Sequence, residues 1–495
     1  MSFRPAFPHT LLREIASATS HLLNWIISFF LHVLFAVEPA HNHVPQRQFN
    51  LADFDVDYTT GFLPARPPIS RLSAEFELWE QALDKANCQN SVLSLGEDYS
   101  PEALAKRDSS AQWRAHFQSA PVLPTSSLHN DVELLRRAHH VLAFLVHFYV
   151  HSTPPTPTQA VHIPASLAVP LVTVSRVLGI APILTFADTV LWNYALIDPT
   201  QPLSPTNMRF QTLFTGTQDE TSFYLCCAQI ELRGVPALRA ISNYENLASI
   251  GDNDSLAKVA CVLEDVAAVI NDLTSTLQSV RCTCEPSVFY HAIRPWFRGS
   301  DASGPESPNW VFEGVEDSDR LDLSGPSAGQ SSLMHSLDVF LDVDHSLEKP
   351  RLPAPSEQNQ RADHKFMKRM QRYMPSIHQN FLQFLSATPR CVRNVARCHP
   401  SLIDPYNACV TALKQFRDAH LRVACLYVVS MSRAAPKPGC PVGAMMLKMQ
   451  AEGALTCPVT GESLKRQPVR GTGGNELSLL LKACRDATTR TLLDR

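Results

Sequence analysis

Tyr406-Asn-Ala-Cys-Val-Thr-Ala-Leu-Lys-Gln-Phe-Arg-Asp-Ala-His-Leu-Arg-Val-Ala-Cys-Leu-Tyr427 is the stretch that decides the fold class. Wound at about 100° per residue, it gathers Tyr406, Cys409, Leu413, Phe416, His420, Ala424 and Tyr427 on one side. Thr411, Lys414, Gln415, Asp418 and Arg422 fill the other. The pattern predicts an amphipathic helix over 407–430 that packs through one face. His420 sits in the middle of the apolar side, with Arg417 one turn before it. A dry imidazole suits a nitrogen ligand for a metal or haem iron. It also suits a core histidine satisfied by a backbone carbonyl, and periodicity alone favours that plainer reading.

Helical spacing recurs on both sides of this stretch. It is read from Ser70 onward (Leu72, Phe76, Leu78, Trp79, Leu83), at 110–117, and at 131–150, which is apolar enough to be buried. It continues at 163–178, 183–194, 220–232, 256–280 and 286–297, then at 331–341, 364–373, 377–387 and 477–489. Prolines break the pattern at 151–158, and 198–219 reads as an interdomain connection. Residues 298–330 read as loop. No regular alternation of strands and turns and no βαβ rhythm is visible, so the chain reads as all-α. The expected organisation is an extension over 1–45, a small helical domain over 46–212 and a larger one over 213–495. Insertions are expected near 345–363 and 432–470.

The 495 residues carry a formal net charge of -4 and no long basic stripe, which speaks against nucleic acid as a partner. The 13 cysteines are scattered, many in apolar runs, as in an intracellular protein with reduced thiols. A cytoplasmic monomer is expected. Residues 22–37 lack charge but are short for a membrane span, and Asn24, Ser28 and His32 interrupt them. A membrane anchor, a targeting segment and an amphipathic extension all remain open for this run.

Four constellations stand out. Phe223-Tyr-Leu-Cys-Cys227 is an aromatic, sulfur-rich helix segment whose default reading is core. Phe289-Tyr-His-Ala-Ile-Arg-Pro-Trp296 sets Arg294 among aromatic rings, where a guanidinium needs an anion or other acceptor. A bound carboxylate and a structural ion pair satisfy it equally. Gly325-Pro-Ser-Ala-Gly-Gln-Ser-Ser332 permits close backbone approach to a flat group, and Ser331 or Ser332 suits a helix cap. It also fits a Gly-x-Ser-x-Gly nucleophile elbow, but no strand is expected before Ser327. Arg470-Gly-Thr-Gly-Gly-Asn-Glu476 lacks the Lys-Ser/Thr of a phosphate loop and reads better as a flap over a pocket. The Cys440-Pro441 and Cys457-Pro458 pairs read as loop cysteines, with regulatory haem binding or a disulfide as alternatives.

Taken in order, these pieces resemble the indoleamine 2,3-dioxygenase family over roughly residues 60–490. The resemblance rests on Gly-Phe-Leu-Pro at 61–64 and its continuation to Leu72, and on Pro182–Leu191 and Ser327–Ser332. Met370–Pro375, His378–Leu382, Tyr406–Cys409 and Gly471–Gly474 complete it.

The resemblance implies a two-domain helical protein with one haem b per chain and His420 as the proximal iron ligand. It implies an Arg417–Asp338 pair beside the haem, with Ser327, Ala328 and Gly329 along its edge. Arg294 would hold the substrate carboxylate, and Phe223 and Phe289 would be the aromatic residues of the distal pocket. Phe186, Thr189, Val190, Tyr224 and Cys227 would line the rest, with Thr472 on the flap. The implied reaction inserts both atoms of O₂ across the indole C2–C3 bond of L-tryptophan. The product is N-formylkynurenine, on the kynurenine route towards NAD. The indole supplies the electrons, so the protein's tasks are orientation, water exclusion and haem tuning. Three positions depart from the family pattern: Cys227 where serine is common, Pro326 in place of a glycine, and Pro295 directly after Arg294. They keep open a dioxygenase with another indole substrate. An oxygen-binding haem protein on the same fold is the other alternative.

Overall fold

Helix α3 (Val132–Ser152) shows why this sequence buries helices on all sides. Asp131 caps it, its carboxylate accepting from the amides of Glu133 and Leu134. From Leu135 to Val150 every side chain is buried, as expected of a helix apolar nearly all round. The computed structural model describes residues 49–87, 91–156, 159–302, 309–345, 366–434, 469–472 and 476–494. Outside them lie the apolar run at 22–37, the 345–363 insertion beyond His345, both Cys-Pro pairs and Gly473-Gly474.

The longer helices before α3 are α1 (Glu77–Ala86) and α2 (Arg107–Ser119). After it come α4 (Ala165–Leu178), α5 (Gln218–Arg233), α6 (Val235–Glu245) and α7 (Asn253–Thr283). The chain continues with α8 (Ser332–Phe340), α9 (Ser376–Ser386), α10 (Ile403–Ala424) and α11 (Leu477–Arg490). The fold class is all-α, as the sequence predicts. Four short strands were not foreseen. β1 (His162–Ile163) pairs in parallel with β4 (Val311–Phe312), and β2 (Tyr194–Leu196) pairs antiparallel with β3 (Met208–Phe210). Strands of two or three residues are too short to leave an alternation signal. The second pair takes residues from the expected helix 183–194 and the expected connection 198–219.

The axis of the larger helical layer is α7, 31 residues long, or roughly 46 Å at about 1.5 Å per residue. A reciprocal Asp252–Ser255 capping box starts it. Helices α5, α6 and α10 pack along it. The thiol of Cys409 donates to the Leu263 carbonyl at 2.7 Å, joining α10 to α7. The α10 residues Tyr406, Cys409, Leu413 and Phe416 are buried, while Thr411, Gln415 and Arg422 are exposed, which is the face division read from the sequence. Helix α6 was missed. It follows α5 at Gly234, where a Cβ would stand 2.2 Å from the Leu333 side chain, so a larger residue there requires that side chain to move.

Three of the expected helices are locally under-wound. π turns occupy Ala187–Leu191, Phe289–Ile293 and Cys425–Ser430. The expected helix 286–297 is in fact a short turn at Pro286–Val288, the π turn, and a 3₁₀ turn at Arg294–Phe297. Pro295 has no amide hydrogen to continue an α-helical ladder there. Among the described residues, no helix is long and apolar enough to cross a membrane.

Candidate active site

The three π turns border one cavity of about 300 Å³ that also meets α5, α7, α10 and α11. Such turns bulge a helix wall by one residue and recur at functional sites. Phe223, Tyr224 and Cys227 reach the cavity from α5, and Phe186, Thr189 and Val190 from the first π turn and its start. Phe289 and Arg294 enter from the broken segment, Ser327, Ala328 and Gly329 from the loop before α8, and Thr472 from the segment before α11. Arg417 and His420 enter from α10. Asp338 is the one predicted site residue that does not border the cavity; it lies behind the wall, bonded to Arg417.

The His420 imidazole is kept neutral. Burial, aided by the nearby Arg417 charge, pulls its pKa down to about 4. The Arg417 guanidinium bonds both the Asp338 carboxylate and the Thr488 hydroxyl, tying α10 to α8 and α11. His345 reaches Asp338 from the other side at 2.8 Å. Burial alone would raise the Asp338 carboxyl, but Arg417 and His345 outweigh it and hold it well below the usual carboxylate range. For His345 burial is likewise opposed by Asp338, which lifts the imidazole to about 9.

Arg294 is a different kind of cation. Its guanidinium donates to the Arg470 carbonyl at 2.6 Å and lies 5.4 Å from the centre of the Tyr290 ring. Among the described residues it makes no ion pair with a carboxylate. Burial lowers its pKa to about 10. The structural ion pair that the sequence left open is therefore not formed among the described residues, and Arg294 borders the cavity.

The aromatic wall is continuous: Phe223 and Phe289 lie 4.8 Å apart, and Phe289 meets Tyr427 edge-on at 5.7 Å. Burial pushes the Cys227 thiol well above its ordinary range, so it stays protonated. The small-residue loop is held from several directions. Gln330 donates to the Gly325 carbonyl at 3.0 Å and accepts from the Phe186 amide at 2.8 Å. His335 bonds the Gly329 carbonyl at 2.9 Å. Ser331 caps α8, its hydroxyl accepting from Met334, and it donates to Glu231 at 2.6 Å. No strand runs directly into Ser327; β4 ends at Phe312 and a 3₁₀ turn at Ser318–Arg320 intervenes, so the nucleophile-elbow geometry is absent there. The Thr472 hydroxyl donates to the Pro326 carbonyl at 2.8 Å, drawing the flap onto the loop.

Sequence reasoning missed Glu231, Gln330 and His345. Glu231 borders the cavity one turn after Cys227, and burial pushes its carboxyl up to about 7. Its spacing of four from Cys227 was the available signal. Gln330 stood inside a quoted motif but gave no sign of reaching Phe186.

No group of three His, Cys, Asp or Glu that could hold a bare metal ion gathers among the described residues. Among them His420 also has no hydrogen-bond partner. A neutral imidazole bordering an aromatic cavity with a small-residue edge fits a nitrogen ligand for the metal of a flat macrocycle. At Gly329 a Cβ would already come within 3.2 Å of Phe366, which suits a close backbone approach at that edge.

The fold and the pocket define an all-α protein with an apolar cavity bordered by a neutral imidazole and a guanidinium. The family described as Indoleamine 2,3-dioxygenase matches residues 50–491, and the chain belongs to that family. It is 30% identical to indoleamine 2,3-dioxygenase 1 of Mus musculus over 81% of this chain and 91% of the relative. It is 31% identical to the indoleamine 2,3-dioxygenase of Saccharomyces cerevisiae over 87% and 91%. A 6-hydroxytryptophan 2,3-dioxygenase of Fusarium equiseti is 29% identical over 90% and 98%. The chain is thus a dioxygenase, an oxidoreductase of tryptophan catabolism in a haem-dependent family.

Proposed function

We propose that this chain cleaves the indole ring of L-tryptophan with O₂ to give N-formylkynurenine, the entry to the kynurenine route towards NAD, with one haem b per chain. The observation that carries the reading is the pairing of two unlike nitrogen groups on one apolar cavity. One is a neutral imidazole with no hydrogen-bond partner among the described residues; the other is a guanidinium with no carboxylate partner there.

His420 would ligate the haem iron, and Ser327, Ala328 and Gly329, which border the same cavity, would pack against the cofactor. The Arg417–Asp338 pair would hold the helix that carries the ligand. Haem supplies the activation of O₂ when bound. The chain's own residues do the rest. Arg294 grips the substrate carboxylate with two parallel donors. Phe223, Phe289, Phe186 and Val190 sandwich the indole and keep water out, which fixes the C2–C3 bond in place. Thr472, tied to the Pro326 carbonyl, covers the opening. Cys227 and Tyr224 are held protonated by burial, so neither serves as a base. That agrees with a reaction in which a side-chain base is not obligatory.

The relative named for 6-hydroxytryptophan sustains a second reading, a ring-substituted indole as the preferred substrate. Both are tested by one experiment. The haem-loaded protein is reduced without oxygen, then given O₂ with either L-tryptophan or 6-hydroxytryptophan, and the formylkynurenine absorbance is followed. Product from L-tryptophan at the higher kcat/KM supports the proposal. Product only from the hydroxylated substrate favours the second reading, and stable oxygenated protein without product overturns both.

A further inference from the structure

Helix α3 carries histidines at 139, 140, 147 and 151, all outside the cavity lining and unused so far. Each bonds a different piece of backbone or side chain. His139 and His140 bond the Asp188 carboxylate (2.7 Å) and carbonyl (3.0 Å), which secures the π turn bearing Thr189 and Val190. His147 and His151, four residues apart and so on one face, reach the segment that carries Arg294. The Nδ1–H of His147 donates to the Trp296 carbonyl at 2.7 Å. The Nε2–H of His151 donates to the Arg298 carbonyl at 2.8 Å. A carbonyl only accepts, so these contacts define which ring nitrogen bears hydrogen in each. Trp310 meets both rings edge-on, at 5.4 and 5.8 Å, and restrains their orientation.

These two carbonyls lie at the end of the 3₁₀ turn Arg294–Phe297, where a helical turn has no internal donor for them. The turn is only four residues long, and its own ladder does not fix the aim of Arg294. The same segment touches the cavity's small-residue loop: a Cβ on Gly325 would fall 1.8 Å from the Phe297 carbonyl oxygen. Moving residues 296–298 therefore moves the guanidinium and presses on that loop.

We propose that His147 and His151 are positioning residues for Arg294, and that they set how strongly the site prefers an indole bearing a carboxylate. The inference rests on the reading of Arg294 as the carboxylate grip. It predicts an effect confined to ligands that use the grip.

The test uses haem-loaded full-length protein and two ligands, L-tryptophan and tryptamine, which lacks the carboxylate. Binding is measured by calorimetry and by perturbation of the haem spectrum. His147→Leu and His151→Leu remove the donors. His147→Asn and His151→Gln keep an amide N–H near the original Nδ1 and Nε2 positions. The expected result is at least tenfold weaker tryptophan binding in each Leu variant, tryptamine binding within twofold of the parent, and recovery to within threefold in the amide variants. Equal losses for both ligands, or no loss in the Leu variants, would overturn the proposal. Should His147→Leu not fold, His151→Leu at its partly exposed position carries the same test. Arg294→Ala separates the two layers of the argument. If it weakens both ligands alike, the grip reading fails. If it discriminates between them while the histidine variants do not, the positioning role fails.

Discussion

His420 and Arg294 both aim nitrogen at the same cavity, and they are held by opposite means. His420 stands within a helix 22 residues long, so its direction follows from the helix's own hydrogen bonds. Its neighbour Arg417 adds ties to α8 and α11. Arg294 stands on a four-residue turn between a π turn and irregular chain, and its direction depends on bonds from α3. One group is placed by local structure, the other by borrowed contacts. The first should tolerate distant substitutions, and the second should be sensitive to them.

The largest expected effect is at the rigid end. His420→Ala should abolish the haem absorbance band while far-ultraviolet circular dichroism stays that of a folded helical protein. An unchanged haem spectrum would remove His420 as the ligand. Next is Asp338→Asn, which strips the counter-charge from two buried cations, Arg417 and His345. Chemical denaturation should show a loss of about 3–5 kcal/mol; a loss under about 1 kcal/mol would mean that the pair does not brace α10.

Acid should loosen the borrowed side. Burial depresses His140 to about 3 and His147 to about 4. The unfolded chain therefore takes up protons that the folded chain refuses once the pH falls below about 6.5. Stability should decline between about pH 6.5 and 4, by about 3 kcal/mol for His147 alone. His345 works in the other direction: its raised pKa contributes below about pH 6.5 and is lost as the pH rises through about 9. Denaturation midpoints measured across pH should thus form a dome, and a flat profile on the acid side would contradict the neutral histidine bonds.

Arg294→Ala should lower kcat/KM for tryptophan roughly 10- to 100-fold, the range for loss of charge-assisted hydrogen bonds of about 1.5–3 kcal/mol. No kinetic change would take it out of the site. The smallest effect marks the baseline. Lys414→Ala breaks a partly exposed pair with Asp418 on the outer face of α10 and should shift stability by no more than about 0.5 kcal/mol.

The same contrast explains how much could be read from sequence. The α10 face division, the burial of α3 and the all-α class were legible because long periodic runs report their own environment. The placing of His420 on the apolar side of α10 was legible in that way, but iron entered only through the family resemblance. For Arg294 the residues left an ion pair and a ligand grip equally open, because its partners come from segments more than 140 positions away. Gln330 and Glu231 escaped for the same reason: their roles lie in contacts to Phe186 and Ser331, across the fold. The short strands and π turns escaped because two to six residues carry no period.

Those π turns have a consequence for how this pocket changes over evolutionary time. Each holds one residue more than a regular α-helical path requires. In the turn at 425–430, which continues directly from α10, removing that residue would draw in the section of wall that bears Tyr427 and Val428. A deletion of a single codon at 425–430 would thus redraw the outline of the chamber at one end of α10, a short route from one indole to another.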